Sequence, residues 1–344
     1  MRELGELVAD LRENGFAVSG PFFEPADVER AHEEILALRA RVETKGASGA
    51  ALVKAGASTE ILTNLYGECP ALDALVGKIL ADGASRALLE RIGGKRFRNR
   101  DYTCRLMTGL PDAPSQYNPP LEWHRDSRGE FVIGIYLTDI PEGDNSATAF
   151  LPGSQYFPYD PRWNALLGAP FFIGGPEHRR KYGMLAGLGI FLRLNFFGRM
   201  LGRSVCGRQT GAFGKAGEFY LFINDTWHGR LANRHGRKAA VIQMGFFPSE
   251  FPFPDKREEI DALVMQKLPP AFRAALDRSQ PPNSDRSALV HEILSRQQPL
   301  HAFTLFWLAR IERRIAQAIS EVVLLPLHML KRAAKALLRR GARA

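Results

Sequence analysis

Cysteine is scarce and odd in number. Cys69, Cys104 and Cys206 are scattered through 344 residues, which leaves neither a disulfide framework nor a paired spacing for a structural zinc site. No run reaches the roughly 18 to 20 apolar residues that a bilayer span requires. The opening Met1-Arg-Glu-Leu-Gly-Glu-Leu-Val-Ala-Asp10 carries acids where a secretory leader needs a continuous apolar stretch. Internal repeats and low-complexity segments are absent. Together these absences predict a folded soluble chain in a reducing cytoplasm. Excess charge is also missing from most of the chain. Of the net +9, residues from His301 onward supply +7, through nine Lys or Arg against Glu312 and Glu321. The remainder is close to neutral, which argues against a nucleic-acid-binding class and for an enzyme acting on a small molecule.

What is present is an ordinary globular composition, 45% apolar and 24% charged, long enough for one large core or two modest ones. Within it stands Leu121-Glu-Trp-His-Arg-Asp126, answered by His228 in Phe222-Ile-Asn-Asp-Thr-Trp-His228. Two imidazoles and one carboxylate can hold one face of a ferrous ion and leave the other open, the ligand set of non-haem iron oxygenases. An H-x-D tripeptide alone is weak, since a chain with 8 His meets one by chance often enough. Its setting is stronger. Glu130 to Leu137, Gly217 to Ile223 and Arg237 to Met244 are β-rich apolar runs, and the breakers Pro141, Gly143, Asp144 and Asn145 follow the first. The candidate metal ligands His124, Asp126 and His228 therefore fall at strand ends or adjoining loops.

Arg237 lies nine residues beyond His228, at the mouth of the last of these runs. A 2-oxoglutarate co-substrate on iron would present its far carboxylate to a guanidinium fork, which grips through two charge-assisted hydrogen bonds. Arg237 is assigned that role because Lys238-Ala-Ala-Val-Ile continues it as a strand; Arg234 and Arg230 are the alternatives. Trp123 and Trp227, each directly before a ligand, read equally as packing residues or pocket walls.

These residues carry a resemblance. Trp123-His-Arg-Asp126, Tyr136-Leu-Thr-Asp-Ile-Pro-Glu-Gly-Asp-Asn145 leading to Phe150-Leu-Pro-Gly-Ser-Gln155, and His228 with Asn233 and Arg237 resemble the phytanoyl-CoA dioxygenase family of Fe(II)/2-oxoglutarate oxygenases. The opening Asn14-Gly-Phe-Ala-Val18, followed by Phe22-Phe-Glu-Pro-Ala-Asp-Val28, fits as well, so the likeness spans about residues 5 to 250. Two departures stand out: Gln155 replaces a frequent His, and the interval from His228 to Arg237 is shorter than in other members. The resemblance implies a mainly β fold, a jelly-roll (double-stranded β-helix, cupin-like) over about 96–248 with flanking helices. It implies Fe(II), 2-oxoglutarate and O2, with release of succinate and CO2. The carboxylate of Asp126 favours hydroxylation of an unactivated C–H bond.

Leu4, Leu7, Val8 and Leu11 follow helical spacing, a second helix begins near Pro25, and 71–92 reads as further helix, so 1–95 is expected to form a helical buttress. An insert of about 157–216 is longer than a minimal jelly-roll needs and reads as a packed helical element or a lid. The oxygenase domain is expected to end near residue 255. Pro-rich spacers then introduce a helical extension over 256–344, whose tail, 301–344, sets apolar stripes among basic residues. Such a tail suits either packing or peripheral contact with an anionic membrane at its inner surface. The substrate class is a small or lipid-like molecule. The competing readings are a non-catalytic jelly-roll binding protein held at a membrane, and a cupin-like metal enzyme that does not use 2-oxoglutarate.

Overall fold

Leu7, Val8 and Leu11 bury one stripe of the first helix, α1 (Leu4–Asn14), and Gly15 ends it at φ 81° with its N–H returned to the Leu11 carbonyl. The computed structural model describes residues 2–45, 50–54, 58–111, 121–143, 146–156, 210–231, 233–248, 260, 262–277, 286–297 and 314, with backbone alone for 44, 45, 54 and 121–124. The second helix, α2 (Pro25–Lys45), buries Val28, Ala31, Ile35 and Leu38. The stretch expected as further helix over 71–92 comprises α3 (Pro70–Ala81) and α4 (Gly83–Gly93). Asp82 divides them: its backbone is extended, and its carboxylate caps α4 by accepting the Ser85 N–H at 2.9 Å.

Eleven strands among the described residues form two antiparallel sheets. The larger runs β1 (Phe16–Pro21), β9 (Glu218–Ile223), β6 (Phe131–Tyr136), β11 (Lys238–Pro248), β4 (Phe97–Thr108), β3 (Thr59–Thr63), β2 (Ala51–Lys54). The smaller runs β5 (Leu121–His124), β10 (His228–Arg230), β7 (Thr148–Phe150), β8 (Thr210–Gly211). From β4 onward the chain crosses between the sheets in the order of a double-stranded β-helix, the jelly-roll expected over 96–248. The region expected to be purely helical also supplies β1, β2 and β3, which widen the larger sheet at both edges.

Strand β6 is buried at every residue, which is why it reads as an unbroken apolar run rather than an alternating one. Phe131, Ile133 and Ile135 enter the core shared with the helices. Gly134 lies opposite Tyr220 in register, and a Cβ there would stand 2.0 Å from the Tyr220 ring. Only glycine lets that ring lie across β6.

Among the described residues, the last strand is followed by α5 (Ala262–Lys267), α6 (Pro270–Leu276) and α7 (Leu289–Arg296). Leu268, Phe272, Leu289, Val290 and Ile293 are buried in the same core as the sheet and α1 to α4. The Phe272 ring packs 5.3 Å from Tyr102. Glu292 receives Arg12 through two hydrogen bonds, at 3.0 and 3.2 Å, and pairs with Arg296 at 2.9 Å, fastening α7 to α1. One of the chain's two compact units comprises Met1–Phe157 and Gly207–Gln297, and the boundary expected at 255 falls inside it. Apart from 210–216 and Arg314, the insert at 157–216 and the tail at 301–344 lie outside the described residues. Among the described residues no helix is long and apolar enough to cross a membrane.

One buried acid of this core titrates near neutrality. Asp73 in α3 accepts the Gly67 N–H at 3.0 Å, and the Tyr102 hydroxyl also faces its carboxylate. Burial pushes its pKa up to about 7, against the smaller opposing pull of Tyr102 and Gly67. Because the folded value lies above the unfolded one, 3.8, the protonated acid favours folding, and that contribution is lost as pH rises from about 4 through 7. Asp73→Asn is therefore expected to gain stability relative to the parent as pH is raised from 5 to 8, read as diverging thermal midpoints. Parallel midpoints across that range would refute the assignment.

Candidate metal centre

His228 opens β10 and His124 closes β5, and the two are direct Cα partners across the antiparallel pair. Phe150 of β7 is the partner of His228 on the other side. Asp126, two residues past the end of β5, brings its Oδ2 to 3.5 Å from His228 Nε2. Of the predicted ligands, the structure thus joins Asp126 and His228 by their side chains, and His124 to His228 by backbone register. The His124 side chain lies outside the described residues, and among the described residues no group of three His, Cys, Asp or Glu converges.

The donor chemistry fits a metal ion. His228 Nδ1 sits 2.9 Å from the Thr226 carbonyl oxygen. A carbonyl can only accept, so Nδ1 carries the proton and Nε2 presents its lone pair toward Asp126. Metal-to-nitrogen and metal-to-carboxylate lengths of about 2.0 to 2.2 Å place adjacent donors of one ion roughly 3 Å apart. The observed 3.5 Å closes to that with small side-chain adjustments.

The two ligand-bearing segments are tied to one another. The Gly129 N–H donates to Asp225 Oδ2 at 2.8 Å, and the Asn224 N–H donates to the Glu130 carbonyl at 2.8 Å. Asn224 Nδ2 donates to the Glu130 carboxylate, which also accepts Arg100 at 2.7 Å. Burial, and behind it the neighbouring Asp101, pushes the Glu130 pKa up to about 8. On the other side, Trp227 N–H donates to Ser154 Oγ at 2.8 Å, and Gln297 at the end of α7 donates to Asp225 Oδ1 at 2.7 Å. Every residue from Asn224 to Trp227 is thus pinned immediately before the ligand. Gly15 takes part as well: its carbonyl accepts both the Ile223 N–H and, at 3.3 Å, the Thr226 hydroxyl. A Cβ on Gly15 would stand 2.1 Å from Thr226 Oγ1, so the left-handed cap of α1 and this close approach both demand glycine.

Gln155 hydrogen-bonds the α1 carbonyls of Arg12 and Glu13 at 3.0 and 3.3 Å and so docks that helix. Trp227 is buried beneath the Arg125 guanidinium, 5.5 Å from its ring, as a packing residue. Phe222 lies 5.0 Å from the His228 ring, and Phe16 stacks on Phe150 at 4.5 Å, giving the ligand an aromatic, water-excluding floor.

Arg237 stands exposed at the turn entering β11, with its N–H and carbonyl both bonded to the Asn233 side chain. Arg234 is also exposed. Arg230 is buried on the same side of β10 as His228 and donates to Ser146 Oγ at 2.9 Å. Arg105, around which no sequence motif stands, is buried between the sheets. The signal was available: a lone cation inside Cys104-Arg-Leu-Met107, on a strand otherwise apolar at that level.

The chain matches no protein-family model and no curated protein sequence. It is similar to solved structures of AviO1 from Streptomyces viridochromogenes Tue57 (17% identity over 74% of this chain and 99% of that one, TM-score 0.49). It is also similar to HygX from Streptomyces hygroscopicus, solved with nickel and 2-oxoglutarate bound (14% identity, 75% and 92%, TM-score 0.44). A third is the epimerase SnoN in complex with Fe3+, alpha ketoglutarate and nogalamycin RO (16% identity, 71% and 83%, TM-score 0.44).

Proposed function

We propose that this chain is an Fe(II)- and 2-oxoglutarate-dependent dioxygenase that hydroxylates an unactivated C–H bond of a small or lipid-like substrate. The observation that carries the reading is the registration of His124 against His228 with Asp126 Oδ2 3.5 Å from His228 Nε2, at the end of a jelly-roll. His124, Asp126 and His228 would hold the metal by one face. Bound there, iron supplies the activation of O2 that couples decarboxylation of 2-oxoglutarate, to succinate and CO2, to substrate oxidation.

The chain's own residues do the rest. Thr226 fixes the His228 tautomer, Asp225 and Glu130 hold the two ligand segments at constant separation, and Phe16, Phe150 and Phe222 keep water from the inner side of the ligand set. Asp126 is half-exposed, so the face toward solvent is the side from which substrate arrives.

The test is succinate formation by the full chain loaded with Fe(II) without oxygen and then given 2-oxoglutarate, O2 and a panel of candidate substrates. Succinate is expected only with 2-oxoglutarate present and should rise with a coupled substrate. A non-catalytic binding protein, or a metal enzyme that uses no 2-oxoglutarate, would form none.

A further inference from the structure

We infer that Arg105, together with the hydroxyl of Thr148, is the seat of a carboxylate carried by a small dicarboxylic 2-oxo acid bound at the metal centre. The inference rests on the proposed 2-oxoglutarate dependence and assigns its distal anchor to a strand and a residue that no sequence motif marks.

Arg105 is 5% exposed, in the last third of β4. Among the described residues its one hydrogen bond runs from a terminal nitrogen to Thr148 Oγ1 at 2.9 Å, and its Nε meets no acceptor. Among the described residues no carboxylate pairs with it, and its charged neighbour is Arg230, a second cation. Burial first, and then the Arg230 charge, lowers its pKa, but a guanidinium stays protonated in proteins. The result is a desolvated cation with a donor left over, a state that an incoming anion relieves.

The adjoining hydrogen-bond chain points the same way. Gln243 Nε2 donates to the Tyr220 hydroxyl at 2.8 Å, and the Tyr220 and Thr148 hydroxyls lie 3.0 Å apart. With Tyr220 accepting from Gln243, its own proton is directed to Thr148 Oγ1. Thr148 Oγ1 then accepts twice, from Tyr220 and Arg105, and its hydroxyl proton must go elsewhere. Arg105 Nε–H and Thr148 Oγ–H are both donors in want of an acceptor, the complement of a carboxylate.

Placement completes the argument. Thr148 is the register partner of Arg230, as Phe150 is of His228. The Arg105 to Thr148 contact therefore lies two residues deeper along the smaller sheet than the metal ligand, about 6 to 7 Å by strand rise. A five-carbon 2-oxo diacid that chelates a metal through its keto-acid end can bridge that span. At the exposed Arg237 water competes for the guanidinium, whereas at Arg105 it does not.

The test is titration calorimetry on the full chain, loaded with Fe(II) without oxygen, comparing 2-oxoglutarate with 2-oxobutyrate, which lacks the distal carboxylate. In R105Q, 2-oxoglutarate should bind about 100-fold or more weakly, as for loss of a buried charge-assisted pair. Iron binding and 2-oxobutyrate affinity should stay within a few-fold of the parent, and R237Q should leave both ligands unchanged. R105K keeps the charge without the fork; should R105Q fail to fold, R105K is expected to lose roughly tenfold for 2-oxoglutarate alone. A loss in R237Q with R105Q unaffected, parent-like binding by R105K, or equal loss of both ligands in R105Q would overturn the assignment and leave the parent reading standing. Absence of 2-oxoglutarate binding by the unmodified protein would instead remove the parent reading.

Discussion

Asp126→Ala is expected to abolish turnover and to strip the protein of iron under conditions where the parent retains it. The carboxylate is the only anion among the three proposed ligands, and its Oδ2 is the donor that the structure brings to His228 Nε2, at 3.5 Å. Without it two neutral imidazoles face a dication, and a site with one ligand fewer and no negative charge holds Fe(II) less tightly against buffer and water. Turnover should fall by on the order of 1,000-fold, since the metal supplies the chemistry and positioning residues cannot replace it. Folding should change little, because the side chain is half-exposed and the strand β5 ends before it. Metal content after desalting and the rate of succinate formation measure the two effects separately. Retention of stoichiometric iron with parent-like turnover would remove Asp126, and with it the facial triad, from the mechanism.

The parts of this site that could be read from the chain are those whose chemistry is local. His124, Asp126 and His228 are close to strand ends because the apolar runs beside them end there, and β6, β9 and β11 fall where those runs predict. Strands β1 to β3 were not legible. β1 carries Gly20 and Pro21, β2 is partly exposed at a sheet edge, and neither shows the alternation that marks a half-buried strand; pairing with β9 and β3 makes them strands. The helices from 262 to 297 read as an extension because Pro-rich spacers surround them. Leu268, Phe272 and Ile293 nonetheless complete the main core, a fact fixed by tertiary packing and absent from local pattern.

The proposed carboxylate anchor shows the same limit from the opposite direction. Arg237 has the right place in the chain, before a strand and after the distal ligand, but the turn that Asn233 ties leaves it exposed. Arg105 has no motif around it, and a cation within a strand ordinarily marks a solvent-facing position. Its burial arises because the smaller sheet lays Thr148 across it, a contact 43 residues away in the chain. Spacing can indicate which residues share a strand. It does not indicate which of them the second sheet will cover.

Asp225→Ala is expected to have the largest effect on stability while also weakening metal binding, because this carboxylate joins three segments at once. Its Oδ2 accepts the Gly129 N–H of the Asp126 segment, its Oδ1 accepts Gln297 Nε2 at the end of α7, and its own backbone leads into His228. Gln297 Nε2 in turn reaches the Gln155 carbonyl at 3.0 Å. All of these groups are buried. Alanine offers no acceptor, so the Gly129 N–H and one hydrogen of the Gln297 amide are left unsatisfied, at about 1 to 3 kcal/mol each. A loss of roughly 2 to 5 kcal/mol follows, visible as a lower urea midpoint at unchanged slope. Asp225→Asn keeps one accepting oxygen and should lose about half as much. Because the lost contact also sets the separation of Asp126 from His228, Fe(II) affinity should fall in the alanine variant even at temperatures where it is fully folded. Gln297→Ala, which frees only one oxygen of Asp225 and spares the Gly129 contact, should lose stability with iron affinity nearly intact. If Asp225→Ala and Gln297→Ala lowered iron affinity equally, the Gly129 contact would not be what holds the two ligand segments in register.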